Sequence, residues 1–99
     1  MRISIEQVKQ EYATLTPKGH WFDKETCQFF RSRLSQLAWC KDDSAYFISS
    51  EQNGSLRTRR YTIRVLDRIF GEIRTAGEFQ QYKTSTEAKA ALKKIIGFI

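Results

Sequence analysis

Arginine recurs at Arg57, Arg59, Arg60, Arg64 and Arg74, and Lys83 and Lys89 follow soon after. A guanidinium stays charged and presents a rigid fork of donors that fits a phosphate or a guanine edge, while an ammonium adds a mobile point charge. The chemistry open to such a set is the holding of a polyanion. Spacing sharpens that reading. Arg60, Thr62 and Arg64 alternate with Tyr61, Ile63 and Val65, and a strand sends alternate side chains to opposite faces. Farther on, Glu72, Arg74, Ala76 and Glu78 alternate with Ile73, Thr75, Gly77 and Phe79. The two arms, joined by a turn from Asp67 to Gly71, predict a hairpin with one apolar face and one wet face. Arg60, Thr62, Arg64 and Arg74 fall on the wet face, with Arg57 and Arg59 in or beside the preceding loop. Glu72 and Glu78 share that face, and pairing across strands would neutralise part of it.

The charge is lopsided along the chain. Of a net +6 over 99 residues, none arises in residues 1 to 56, where seven basic and seven acidic side chains balance. Residues 57 to 99 carry ten basic and four acidic ones, an asymmetry that points to a polyanionic partner.

Other chemistries lack their residues. His20 is the only histidine, and Cys27 and Cys40 do not have the paired spacing of a zinc site. A Cys27 nucleophile with His20 as base has no evident third group to orient it, and Cys27 fits an apolar stripe where cysteine packs as a small hydrophobe. No glycine-rich loop suits a phosphate cradle, and Asp42 and Asp43 read as a solvated turn. The expectation is a non-enzymatic protein without cofactor or metal. No apolar run approaches the roughly 18 residues that cross a bilayer. The start Met1-Arg2-Ile3-Ser4-Ile5-Glu6-Gln7 turns polar too early for a secretory signal. A cytoplasmic location, reduced thiols and no membrane partner follow as expectations.

The elements that must position the arginines are legible as periodicities. Ser4 with Gln7 makes a capping box, and Ile5, Val8, Tyr12 and Leu15 form one helical stripe that Pro17 and Gly19 end. A second helix is expected over Lys24 to Ala38, capped by Asp23, with Cys27, Phe30, Leu34 and Leu37 as its stripe. His20-Trp21-Phe22 ahead of it should staple onto the core. Ala45 to Ser50 is rich in aromatic and β-branched residues and predicts a strand, with a turn at Asn53-Gly54. Thr84 with Glu87 caps a last helix through Ala88, Ala91, Leu92, Ile95 and Ile96, which Gly97 stops. Residues 1–99 thus predict a single α+β domain of order α-α-β-β-β-α, a three-stranded antiparallel meander with helices packed on one face. The other sheet face would be open, as antiparallel sheets allow.

Strand, turn and strand ending Gly77-Glu78-Phe79, then Thr84 to Glu87-Ala88 opening a helix, resembles the sheet-plus-helix DNA-binding domains of ethylene-response factors and of phage integrase amino termini. That resemblance implies an open sheet laid in the major groove of duplex DNA. The helix, three strands and helix are also similar in order to a double-stranded-RNA-binding domain, with Lys83 and Lys89 near the last helix. Over most of the chain, His20-Trp21-Phe22, Phe29-Phe30-Arg31-Ser32-Arg33, Arg60-Tyr61-Thr62-Ile63-Arg64 and Gly77-Glu78-Phe79-Gln80-Gln81-Tyr82 resemble a family of short uncharacterised proteins from bacteria and their phages. That resemblance implies no activity. Two functions stand as expectations. The first is nucleic-acid binding, duplex DNA foremost, through Arg57, Arg59, Arg60, Arg64, Arg74, Lys83 and Lys89. The second is a protein-interaction module, a phage or mobile-element accessory factor docking a host protein through Trp21, Phe29, Trp39 and Phe98. The chain would act as a monomer or weak dimer.

Overall fold

Ser4 ends a short strand, β1 (Arg2–Ser4), and caps helix α1 (Ile5–Leu15) by accepting a hydrogen bond from the Gln7 amide at 3.2 Å. The cap supplies one of the amide partners that a helix start lacks. The structure, a computed structural model, describes residues 2–19, 21–22, 33–52, 59–78 and 80–97. Strands β2 (Arg33–Leu34), β3 (Leu37–Lys41), β4 (Ser44–Gln52), β5 (Arg59–Asp67) and β6 (Ile73–Thr75) follow, and helix α2 (Ser85–Ile96) closes the order.

The described strands form one antiparallel sheet of six in the order β1-β3-β4-β5-β6, with β2 paired to β4 beyond the end of β3. β2 and β3 lie end to end beside β4, interrupted at Ser35 and Gln36, and β3 is paired on its other side with β1. Ser35 Oγ accepts from the Ile48 amide at 3.2 Å, and the Gln36 carbonyl accepts from the Ile5 amide at 2.9 Å. The interruption is therefore where α1 begins.

Register sorts the side chains into two cores. Ala45 pairs with Leu66 and Phe47 with Arg64, while Ile48 pairs with Ile63 and Tyr46 with Val65. Partners in an antiparallel ladder share a face. Ala45, Phe47, Leu66, Ala38 and Ile3 are buried under Ile5 and Val8 of α1, with Tyr12, Trp21 and Phe22 against them. On the opposite face Ile48 and Ile63 are buried under Ala88 and Leu92 of α2. The first helix buries Ile5 and Val8 of its stripe with Tyr12 against them, while Leu15 stays 39% exposed. The last helix buries Ala88 and Leu92, and each covers a different face.

The three-stranded meander with helices on one face is therefore incorrect. Among the described residues the sheet has six strands, with α1 packed on one face and α2 on the other, so neither face is free of a helix. The expected helix over Lys24 to Ala38 fails in its second half, where Arg33–Leu34 and Leu37–Lys41 are strands. Leu34, Leu37 and Ala38 satisfy helical spacing, but Ala38 and Cys40 also alternate with Leu37 and Trp39. The unpaired backbone edge of β4 decides between the two periods, because an edge strand gains hydrogen bonds that a helix would not give β4. The expected turn at Asn53-Gly54 and residues Lys24, Cys27 and Phe30 lie outside the described residues.

The face assignment of the arginine hairpin also changes. The turn at Asp67 pairs Leu66 with Ile73, Val65 with Arg74 and Arg64 with Thr75. Ile73 thus joins the α1 core, and Arg74 stands on the α2 side, opposite in face to Arg64. A shift of one residue in register reverses every side chain of a strand. Asp67 Oδ1 fixes the turn by accepting from the Ile69 and Phe70 amides at 2.9 and 3.1 Å. Gly71 takes φ of 73°, and a Cβ there would stand 2.6 Å from Leu15 Cβ, so the hairpin tip and the end of α1 meet only because this residue has no side chain.

Candidate functional site

Arg64 is a structural residue. Its Nη2 lies 3.3 Å from Glu51 Oε1, its Nε donates to Ser49 Oγ at 3.1 Å and its Nη1 donates to Thr75 Oγ1 at 2.6 Å. Glu51, 3% exposed, also accepts from the Ser49 and Thr62 hydroxyls. The ring of Trp21 covers the Arg64 guanidinium at 5.4 Å from its centroid. Ser49, Glu51, Thr62 and Arg64 follow from register alone, since Ser49 faces Thr62 and Glu51 faces Arg60 across β4 and β5. The outcome is a buried, hydrogen-bonded ion pair at the end of the α1 core. A guanidinium so engaged is not available to a phosphate.

The other expected site residues scatter. Arg60 shares the face of Arg64 and is half-buried, opposite Glu51. Arg59 donates to the hydroxyl and the carbonyl of Ser50 on the other face. Arg74, 59% exposed, sits 3.6 Å from Asp67 Oδ2. The Asp67 carboxyl is held below its ordinary value of 3.8, first by the Phe70 amide, then by the Ile69 amide, with the Arg74 guanidinium adding a smaller share. Lys83 and Lys89 are exposed, one just before α2 and one in its second turn. Arg57 lies outside the described residues, as do His20, Phe29 and Phe98. Glu72 and Glu78, expected to pair with the arginines, are exposed; among the described residues Arg64 pairs with Glu51 and Arg74 with Asp67 instead. Arg68 is a further arginine held internally: it bonds Glu11 Oε1 at 2.6 Å, and that contact raises its pKa above the ordinary value.

A cleft does form on the opposite side of the sheet. α2 packs over β3, β4 and β5, and in its first two turns Ser85 and Lys89 line a cleft with Arg33 of β2. At the other end the Lys41 ammonium donates to the Ile95 carbonyl at 3.1 Å. The cavity between helix and sheet is about 380 Å³. Leu34, Trp39, Ile48 and Tyr61 give it a largely apolar wall, and Arg33, Ser85 and Lys89 stand on its polar side. Its size is within the range of small-ligand pockets. Lys93 is one helical turn beyond Lys89 and so continues the same line of the helix. Among the described residues no carboxylate lines the cleft, and no carboxylate lies within ion-pair distance of Arg33, Lys89 or Lys93.

The local sequence builds this site economically. Thr84 Oγ1 accepts from the Glu87 amide at 3.1 Å and Glu87 accepts from the Lys83 amide at 3.2 Å, which fixes where α2 starts. Ala88 and Leu92 then dock the helix on Ile48 and Ile63, so that Ser85 and Lys89 flank the docked stripe on the side of β2. A further anchor comes from Tyr61, which exchanges backbone hydrogen bonds of 2.7 and 3.0 Å with Tyr82. Arg33 was hidden from sequence reasoning inside an apparent helix. Its nearness to Lys89 depends on a strand that only the edge of β4 induces.

Among the described residues no group of three or more His, Cys, Asp or Glu side chains is placed to hold a metal ion. None of the described helices is long and apolar enough to cross a membrane. The model of a family described as a family of unknown function (DUF7447) matches residues 4–93, and the chain belongs to that family. No curated protein and no solved structure matches it.

Proposed function

We propose that this member of a family without an assigned function is a non-enzymatic binding domain for a polyanion, with nucleic acid as the partner class. The observation that carries the reading is the position of the unneutralised charge. Arg33, Lys89 and Lys93 follow the α2 side of the sheet, with Lys83 just before the helix and Lys94 on its outer surface, all exposed. Arg64, Arg68 and Arg74, by contrast, are engaged with carboxylates. Cations left without acids attract a phosphate backbone and release its counterions on contact. The resemblance to short bacterial and phage proteins fits a cytoplasmic accessory factor, and that origin and location belong to the proposal. Fluorescence anisotropy with duplex DNA, single-stranded DNA and duplex RNA tests it. The reading expects binding that weakens steeply with salt. Absence of binding to all three at ~50 mM salt removes it.

A second reading, a protein-interaction module, draws on a different surface. Ile69 and Phe70 at the β5–β6 tip are 58% and 77% exposed, beside Leu15 at the end of α1. Large apolar side chains at a turn tip suit docking to a protein. Capture of a partner by the intact protein that Phe70→Ser abolishes, with nucleic-acid binding unchanged, would support it.

A further inference from the structure

We infer that the cleft between α2 and the strands β2 and β3 is a single-strand site, taking an unpaired base against Trp39 and Tyr61 with its phosphates on Arg33 and Lys89. This rests on the polyanion reading and narrows it from any nucleic acid to an unstacked strand. An open sheet would serve a duplex, but neither face of this sheet is free of a helix. What is accessible is a concavity of about 380 Å³ walled by apolar and aromatic side chains.

Three features of that concavity agree in the ligand they select. Trp39 and Tyr61 are half-buried and line it, offering the aromatic surface on which bases stack regardless of sequence. Arg33 and Lys89 both line it and are exposed, one from β2 and one from α2. A backbone that reaches the cleft meets a cation from each of the two elements. Ser85, the first residue of α2, adds a hydroxyl near the same end. Lys93 extends the basic line by one turn along a helix of 12 residues, about 18 Å in length. The strand would thus lie along the helix, with one base turned into the cleft. A neutral apolar ligand would leave the cations unused, and an acidic peptide would leave the aromatic walls to chance side chains.

The test titrates the ¹⁵N-labelled intact protein with a short oligothymidylate and with a duplex of equal length. Each of the two tryptophans reports separately through its indole N–H resonance. The oligothymidylate is expected to move the Trp39 signal and to leave that of Trp21, which covers Arg64 on the other face, in place. Arg33→Ala and Lys89→Ala, both at exposed positions, should each weaken single-strand binding, and Trp39→Leu should weaken it about tenfold if it folds. If Trp39 stays still while single strand and duplex bind alike, the cleft assignment is overturned and the polyanion reading survives. If anisotropy shows neither binding, both fall. An acidic peptide that moves Trp39 where the oligothymidylate does not would also overturn it, in favour of a protein partner.

Discussion

The two faces of one sheet put the same kind of charge to opposite uses. Under α1, Arg64 is enclosed by Glu51, Ser49, Thr75 and the Trp21 ring. Beside α2, Arg33 and Lys89 are exposed and line an apolar cleft without a described acid near them. Burial explains the difference. A cation inside a protein must be paired and hydrogen-bonded or it is expelled, whereas one at a rim keeps its hydration and its freedom to meet a ligand. Counting arginines therefore overstates a binding surface, and asking which of them already has a carboxylate corrects the count.

The largest predicted effect attacks the enclosed side. Glu51→Ala strands the Arg64 guanidinium and should cost about 3–5 kcal/mol, read as a lower denaturant midpoint. Replacing both partners by Glu51→Leu with Arg64→Met should recover most of that loss, since removing both charges leaves none unpaired. A double variant no more stable than Glu51→Ala would show that the pair does not carry the region.

A smaller cost is expected where the β5–β6 tip meets α1. Gly71→Ala places a Cβ at φ of 73° and against Leu15 Cβ, and should destabilise by about 2 kcal/mol. Thr84→Ala probes the cleft side instead. It removes the cap that fixes the start of α2 and should cost about 1 kcal/mol, with single-strand affinity falling in step because Ser85 and Lys89 shift with the helix start. A variant that loses stability but not affinity would separate the cap from the site.

The smallest effect is a pH dependence at the tip. Asp67 has a folded pKa below its ordinary value, so its contribution is present above that value and is lost as pH falls through the lowered one. Stability should decline in the acid range below about pH 4, and Asp67→Asn should flatten that part of the profile. An unchanged acid limb in Asp67→Asn would show that the turn carboxylate is not the titrating group.

Helix caps and helix stripes were legible because they are local. Ser4 and Thr84 cap their helices by accepting from the Gln7 and Glu87 amides, though the Glu87 carboxylate accepts from the Lys83 amide rather than closing a box on Thr84. Ile5, Val8, Ala88 and Leu92 are buried as their spacing implies. Strand β4 was found within two residues of its ends, from Ala45–Ser50 to Ser44–Gln52. What was not legible depends on partners far along the chain. Arg33–Leu34 and Leu37–Lys41 become strands only because β4 offers an edge, and their composition fits helix and strand equally well. Arg74 changes face through a register that the Asp67 turn sets. Of the expected site, Lys89 lies at the cleft that the structure forms, Trp39 lies there as an expected protein anchor, and Arg33 could not be paired with either from sequence.

The most direct test of the account is the salt dependence of nucleic-acid affinity in the intact protein and in two variants. The cleft-side variant, Arg33→Ala with Lys89→Ala and Lys93→Ala, should lower the slope of log affinity against log salt by about two, because single-strand contacts contribute about 0.7 each. Arg74→Ala, whose guanidinium already faces Asp67, should leave the slope unchanged. The opposite pattern, a slope lost with Arg74 and kept without the cleft-side cations, would contradict the account.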